Sequence, residues 1–252
     1  MIKDRVLALY DSHYPYNLSL TQFLNFAKDF KPTVFILGGD NWDLGFISHW
    51  NSKLFRKFGF DQLRKDLKRE SKGMMAQLDT FRNYMPKAEF IYLEGNHEHW
   101  ITEFGEDYEQ MEDFSLEYLL KLKSRGIELF SYTGNDDTCK VGKLYFKHGH
   151  QYGSSNPAKQ AVERSKKSIV IGHHHGYSEY FDYSDTDCTQ KWVGIQVPCF
   201  RNRDADYLMG RPNKWATGFF SACIKPSGNF SHHVQLVDSN GEFTSQMAKE
   251  YK

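Results

Sequence analysis

Paired cysteines are missing from this chain. Its four cysteines, Cys139, Cys188, Cys199 and Cys223, show no close spacing and no Cys-x-x-Cys. A disulfide framework or a thiolate metal motif needs such pairing, so these residues are expected as reduced thiols. No signal peptide is read at the start, and a cytoplasmic location is expected. Net charge is missing too, since 32 Lys and Arg balance 32 Asp and Glu. No global field therefore draws nucleic acid, although a local basic patch still can. No apolar run reaches the roughly 18 residues that a membrane span needs. Internal repeats and low-complexity stretches are absent as well. The 252 residues suffice for a sizeable core, and the chain is read as a single domain, residues 1–252.

What the chain has instead is one design used repeatedly: a β-rich apolar run that ends in metal-ligand residues. Val6 to Tyr10 leads into Asp11-Ser12-His13, and Val34 to Leu37 into Gly38-Gly39-Asp40-Asn41. Phe90 to Leu93 leads into Glu94-Gly95-Asn96-His97-Glu98. Leu144 to Phe146 passes through Lys147 into His148-Gly149-His150, and Ile169 to Ile171 leads into Gly172-His173-His174-His175. Ligands of α/β sheets bind at the carboxyl ends of strands, so five such ends can bring carboxylate, amide and imidazole groups to one crevice. That donor set suits hard to borderline divalent metals.

Strands are expected at 5–10, 33–38, 88–94, 127–131, 139–141, 143–148, 168–172, 191–197, 217–224 and 230–238, the last two a hairpin around Lys225 to Asn229. Helices are expected over Leu18 to Phe30, Asp107 to Arg125 with Gly126 as cap, and Pro157 to Lys166 with Asn156 as N-cap. Between strands two and three, residues 46–86 form a charged helical insert expected to hold two helices ending near Pro86. Early strands alternate with helices and late strands pair by turns, which predicts a mixed α/β arrangement.

In this order the five blocks resemble the calcineurin-like metallophosphoesterase superfamily, whose pattern runs Asp-x-His, Gly-Asp, Gly-Asn-His-Asp/Glu, a lone His, then Gly-His-x-His. The resemblance covers residues 11 to 175 and implies a two-sheet α/β sandwich with helices on the outer faces. It implies two divalent metal ions: Asp11, His13 and His175 on one, Asn96, His148 and His173 on the other, and Asp40 bridging them. Manganese is favoured, and the O/N donor set also admits iron, zinc or nickel. Such a pair, roughly 3.5–4 Å apart, neutralises the phosphoryl oxygens and holds a bridging hydroxide that attacks the ester. His97 is implied to contact the scissile phosphate and protonate the leaving oxygen, with Asp43 as the carboxylate that orients it. His150 is open as an alternative ligand to His148 or as a substrate contact. Glu98 and His99 are expected to be rim or supporting residues without an assigned role.

Two departures from the protein-phosphatase branch bear on the substrate. That branch carries Arg where this chain has Leu44, and it lacks the Gly149-His150 and His173-His174-His175 forms. These look more like the phosphodiesterase and nuclease branch. A phosphodiesterase acting on DNA, RNA or a nucleotide is therefore expected, with a phosphomonoesterase or protein phosphatase as the main rival. A metal-binding protein without catalysis is a third reading, which the presence of His97 and Asp43 opposes. His150, Arg201 and Arg203 are candidates for substrate contact, and loop ion pairs are an equal reading for the arginines. No membrane partner is expected. For the insert, a lid, a homodimer contact and a plain helical cover are all left open.

Overall fold

Side-chain alternation along the strands separates the layers. In β1 (Asp4–Leu9), Val6 and Ala8 face one side and Leu7 and Leu9 the other, as a period of two requires. The computed structural model describes residues 1–48, 52–107, 115–134, 137–183, 191–202 and 213–243. Among these, β1, β2 (Val34–Leu37), β3 (Glu89–Leu93) and β4 (Ile127–Phe130) run parallel. β10 (Gly218–Ile224) and β11 (Phe230–Leu236) add antiparallel edges, giving the order β11-β10-β1-β2-β3-β4. A second sheet has the order β5-β6-β7-β9-β8, from Thr138–Val141, Leu144–Lys147, Ser168–Ile171, Lys191–Gln196 and Ser178–Tyr183.

Val6, Ala8, Val34, Ile36 and Ile91 of the first sheet meet Phe146, Val170, Val193 and Ile195 of the second in a shared apolar layer. The opposite face of the first sheet, including Leu7, Leu9, Phe35 and Phe90, is covered by helices α1 (Thr21–Phe30) and α2 (Ser52–Tyr84). On the outside of the second sheet, Ala161 and Val162 of α5 (Pro157–Ser165) pack on Ile169 and Ile171. Gly194 of β9 lets α5 approach, since a Cβ there would stand 2.1 Å from the Ala158 carbonyl oxygen. The result is the expected α/β sandwich with helices on both outer faces.

α2 leaves helical geometry at Gly59 (φ 70°, ψ 170°), so two helical segments meet there. Leu63, Leu67, Met74, Leu78 and Phe81 fall on one stripe and are buried against the first sheet. The helix expected over 107–125 is different. α3 (Asn96–Asp107) begins inside the Gly-Asn-His-Glu block, residues 108–114 lie outside the described residues, and α4 covers Leu116–Leu120. A 3₁₀ turn at Lys123–Arg125 follows, and Gly126 closes it at φ 63°. Asn156 precedes α5 in a left-handed conformation and makes no side-chain cap, while Pro157 does occupy the first turn. β8 answers to no strand expected from the sequence.

Candidate metal centre

The motif residues sit where parallel strands end and the chain must turn at once. Asp11, His13, Asp40, His173 and His175 all have φ between 48° and 69°. Left-handed backbone is uncommon outside glycine, although Asp and His are among the residues that tolerate it, and it collects at functional sites. Here it turns the chain at the strand ends, and Asp11 and His13, two residues apart, face a common point. Glycine is required beside them. A Cβ on Gly95 would lie 2.2 Å from Asp40 Oδ1, and one on Gly39, at φ 93°, would lie 2.4 Å from His148 Nδ1.

Donor atoms of Asp11, His13 and His175 converge within 4.8 Å of one another, and so do those of Asp40, His148 and His173. A third such group is His13, Asp43 and His97. His13 Nδ1 donates to Asp43 Oδ2 at 3.1 Å, which leaves its Nε2 as a lone pair 3.1 Å from His175 Nε2. His148 Nδ1 donates to the Gly38 carbonyl at 3.1 Å, which directs its Nε2 at Asn96 Oδ1 (3.1 Å) and His173 Nδ1 (3.2 Å). Asn96 Oδ1 and His173 Nδ1 are 2.9 Å apart. Acceptors turned toward one another at such distances call for positive charge between them.

The electrostatics agree. Burial penalises charge on the His13 and His173 imidazoles and pushes both down to about 4, so they are neutral donors at neutral pH. Burial opposes ionisation of Asp40, but the neighbouring His148 and His97 outweigh it and hold the carboxyl well below its usual range. Burial opposes the Asp11 carboxylate likewise, and His175 outweighs it. Burial opposes charge on His148, yet Asp40 outweighs that and takes the imidazole up to about 9. The pocket thus favours a cation beside Asp40, and a divalent ion competes with that proton. Two ionised carboxylates, an amide oxygen and buried imidazoles fit divalent metal by donor chemistry alone.

Asp43 stands differently from expectation. His97 Nδ1 donates to the Asp43 backbone carbonyl, whereas the carboxylate binds His13 and, at 3.2 Å, the Arg201 guanidinium. His97 is thus hydrogen-bonded to the Asp43 main chain, while the Asp43 carboxylate, within 4.8 Å of a His97 ring nitrogen, is bonded to His13. His97 Nε2 points to Asp40 Oδ2 at 3.8 Å. Arg201 is buried beside Asp43, while Arg203 lies outside the described residues. His150 is in neither ligand group and stacks on Tyr132 at 3.9 Å.

Glu98 is the residue that sequence reasoning undervalued. It is fully buried rather than at the rim. Its Oε1 accepts from the N–H groups of Asn41 and Trp42 and from the Tyr92 hydroxyl, and its Oε2 accepts from the N–H groups of Asp40 and Gly95. The Gly95 contact is half of a capping box, with Glu three residues after the N-cap, and that spacing was the available signal. Trp215 against His175 and Trp100 against His97, with ring centroids 4.4 Å and 4.1 Å apart, carried no such signal.

A family model described as calcineurin-like phosphoesterase matches residues 5–209. Two solved structures are similar to this one. A conserved uncharacterized protein of Streptococcus pneumoniae TIGR4, a predicted phosphoesterase, is 11% identical with a TM-score of 0.38 over 98% of this chain and 95% of that chain. Chaetomium thermophilum Vps29 is 9% identical with a TM-score of 0.43 over 92% and 97%. No curated protein matches the sequence.

Proposed function

The chain belongs to the calcineurin-like phosphoesterase family, and from that premise we propose that it is a dinuclear-metal phosphodiesterase acting on nucleic acid or a nucleotide. The observation that carries this reading is the pair of facing donor groups, Asp11-His13-His175 and Asp40-His148-His173, with Asn96 completing the second. Asp40 lies between His148 and His97 and is assigned as the shared ligand. When bound, two divalent ions, manganese by preference, supply charge neutralisation of the phosphoryl group and an activated water.

The protein's own groups do the rest. Asp43 keeps the His13 proton on Nδ1 and so keeps Nε2 available for metal. The Asp43 carbonyl accepts from His97 Nδ1 and turns Nε2 toward the centre, where His97, in its imidazolium form, would deliver the Nε2 proton to the leaving oxygen. Glu98 holds the Asp40 loop against the start of α3. α2 is read as an insert in a single domain that borders the site, since Glu70 accepts from Trp42 Nε1 at 3.1 Å just after the Asp40 loop. No described helix is long and apolar enough to cross a membrane, and a cytoplasmic enzyme is the reading we adopt.

Preference for a diester rests on Leu44, which is buried and offers no charge to a phosphate dianion. Arg201 favours the rival, a phosphomonoesterase, because its guanidinium lies at Asp43, although one nitrogen is committed to that carboxylate. The test is turnover with added manganese on bis-p-nitrophenyl phosphate, p-nitrophenyl phosphate and labelled single- and double-stranded DNA. A higher kcat/KM for the diester is expected. Monoester preference that disappears in Arg201→Ala would establish the rival, and no turnover of any of them would reject both.

A further inference from the structure

At the opposite end of the second sheet, where β6, β7 and β9 begin rather than end, lies a groove of about 730 Å³. The strands are four to six residues long, which places it on the order of 15 Å from the metal ligands. Lys140, Lys143, Lys166, Lys167 and Lys191 all line it, and all five are solvent-exposed. In a chain of zero formal charge, that is a local concentration of one sign. Asp182 is the carboxylate ion-paired with these lysines among the described residues, at 3.1 Å from Lys166.

Aromatic rings are interleaved with the ammonium groups. Lys140 lies 5.2 Å and Lys167 5.8 Å from the Tyr145 ring centroid, Lys166 5.5 Å from that of Trp192, and Lys191 5.5 Å from that of Tyr183. Phe181 and Tyr183 also line the groove and are more than half exposed. An exposed cluster of rings, unlike a single one, marks an interaction surface. Cations that track phosphates and flat rings that stack on unpaired bases are together the chemistry of single-strand binding. A duplex hides its base faces, and an acidic peptide would not use the rings.

We propose that this groove binds single-stranded nucleic acid through lysine–phosphate contacts and base stacking on Phe181 and Tyr183. The site is separate from the metal centre and does not depend on the catalytic reading, so it is tested with metal chelated and hydrolysis blocked. The probe is a fluorescent oligothymidylate roughly a dozen nucleotides long, titrated with the full chain in EDTA while anisotropy is read. The wild type should bind, and more weakly as salt rises. Lys140→Glu/Lys167→Glu/Lys191→Glu should lose at least about tenfold in affinity, and Phe181→Ala/Tyr183→Ala should lose a similar factor on the single strand with little change on duplex. A control with the same number of reversals on α2 and just after α4, at Lys68, Lys72 and Lys121, should bind as the wild type does. Circular dichroism and an unchanged melting temperature establish that each variant is folded. No binding by the wild type, equal loss in the control, or equal affinity for duplex, polyglutamate or anionic vesicles would each overturn the proposal.

Discussion

Asp40 Oδ1 accepts the His97 N–H at 2.9 Å, and its Oδ2 faces His148 Nε2 at 3.4 Å. Replacing it with Asn preserves shape and removes the charge that both groups share. Asp40→Asn is expected to bind well under two metals per chain by elemental analysis, and wild-type content with full activity would refute the assignment. His97 belongs to the third group, with His13 and Asp43, and carries no metal in the proposed centre. His97→Gln should therefore keep its metal and lose roughly 100-fold in turnover, the usual scale of proton transfer. The loss should be smaller for nitrophenol leaving groups, which need no proton. Loss of metal would instead make His97 a ligand. Glu98→Ala leaves five donors without their acceptor inside the protein, each costing about 1–3 kcal/mol if unmet. Urea denaturation should show a loss of several kcal/mol together with reduced metal content. Glu98→Gln should recover part of the stability, because one of its two polar ends still accepts.

At the scale of elements, strands that were apolar on both faces could be read directly. β1, β2, β3 and β7 are buried on both sides, so burial wrote their sequences as continuous apolar runs ending in Gly, Asp or His. β8 is an edge strand with no buried residue, half-buried except for the exposed Phe181 and Tyr183, and its Ser-Glu-Tyr-Phe-Asp-Tyr has no apolar side to find. α3 was misplaced because Asn96 to Glu98 reads as a ligand loop, while its first turn is stabilised from outside by Asp40 and from within by Glu98. The residues that converge at the strand ends stand in a recognisable order along the chain. Their partners could not be read from that order, because contacts such as Asp43 to Arg201 join residues far apart in sequence. α1 shows what such joins are worth. The Phe23 ring meets those of Phe35, Phe81, Phe200 and Phe219 with centroids 5.1 to 6.1 Å apart, tying α1 to strands and to α2. Phe23→Ala should cost about 3–5 kcal/mol in chemical denaturation. A cost under about 1 kcal/mol would mean that the cavity collapses and α1 is not the pin described.

For the whole molecule, the centre is built from both halves of the sandwich. Asp11, His13, Asp40 and Asn96 follow strands of the first sheet, whereas His148, His173 and His175 follow strands of the second. The His173 N–H donates to Asp11 Oδ2 at 2.9 Å across that seam, and the His13 and His175 rings meet there. Away from the seam, the sheets are joined by an apolar layer and by hydrogen bonds of Tyr10 to Val170, Lys143 to Gly228 and His232 to Glu179, none of which touches a ligand. A metal bound at this edge therefore crosslinks the two sheets, and a ligand that binds only the folded state adds its binding energy to stability. Metal-loaded protein is expected to unfold in one transition at a higher temperature than chelated protein, with a gain of about 2.7 kcal/mol when free metal is a hundred times its Kd. The gain should fall in Asp40→Asn and also in His175→Ala, which removes a ligand from the opposite sheet. If manganese raises the melting temperature of His175→Ala as much as that of the wild type, His175 holds no ion. Two separate transitions on chelation would show instead that the sheets fold as independent units, with metal rather than the apolar layer joining them.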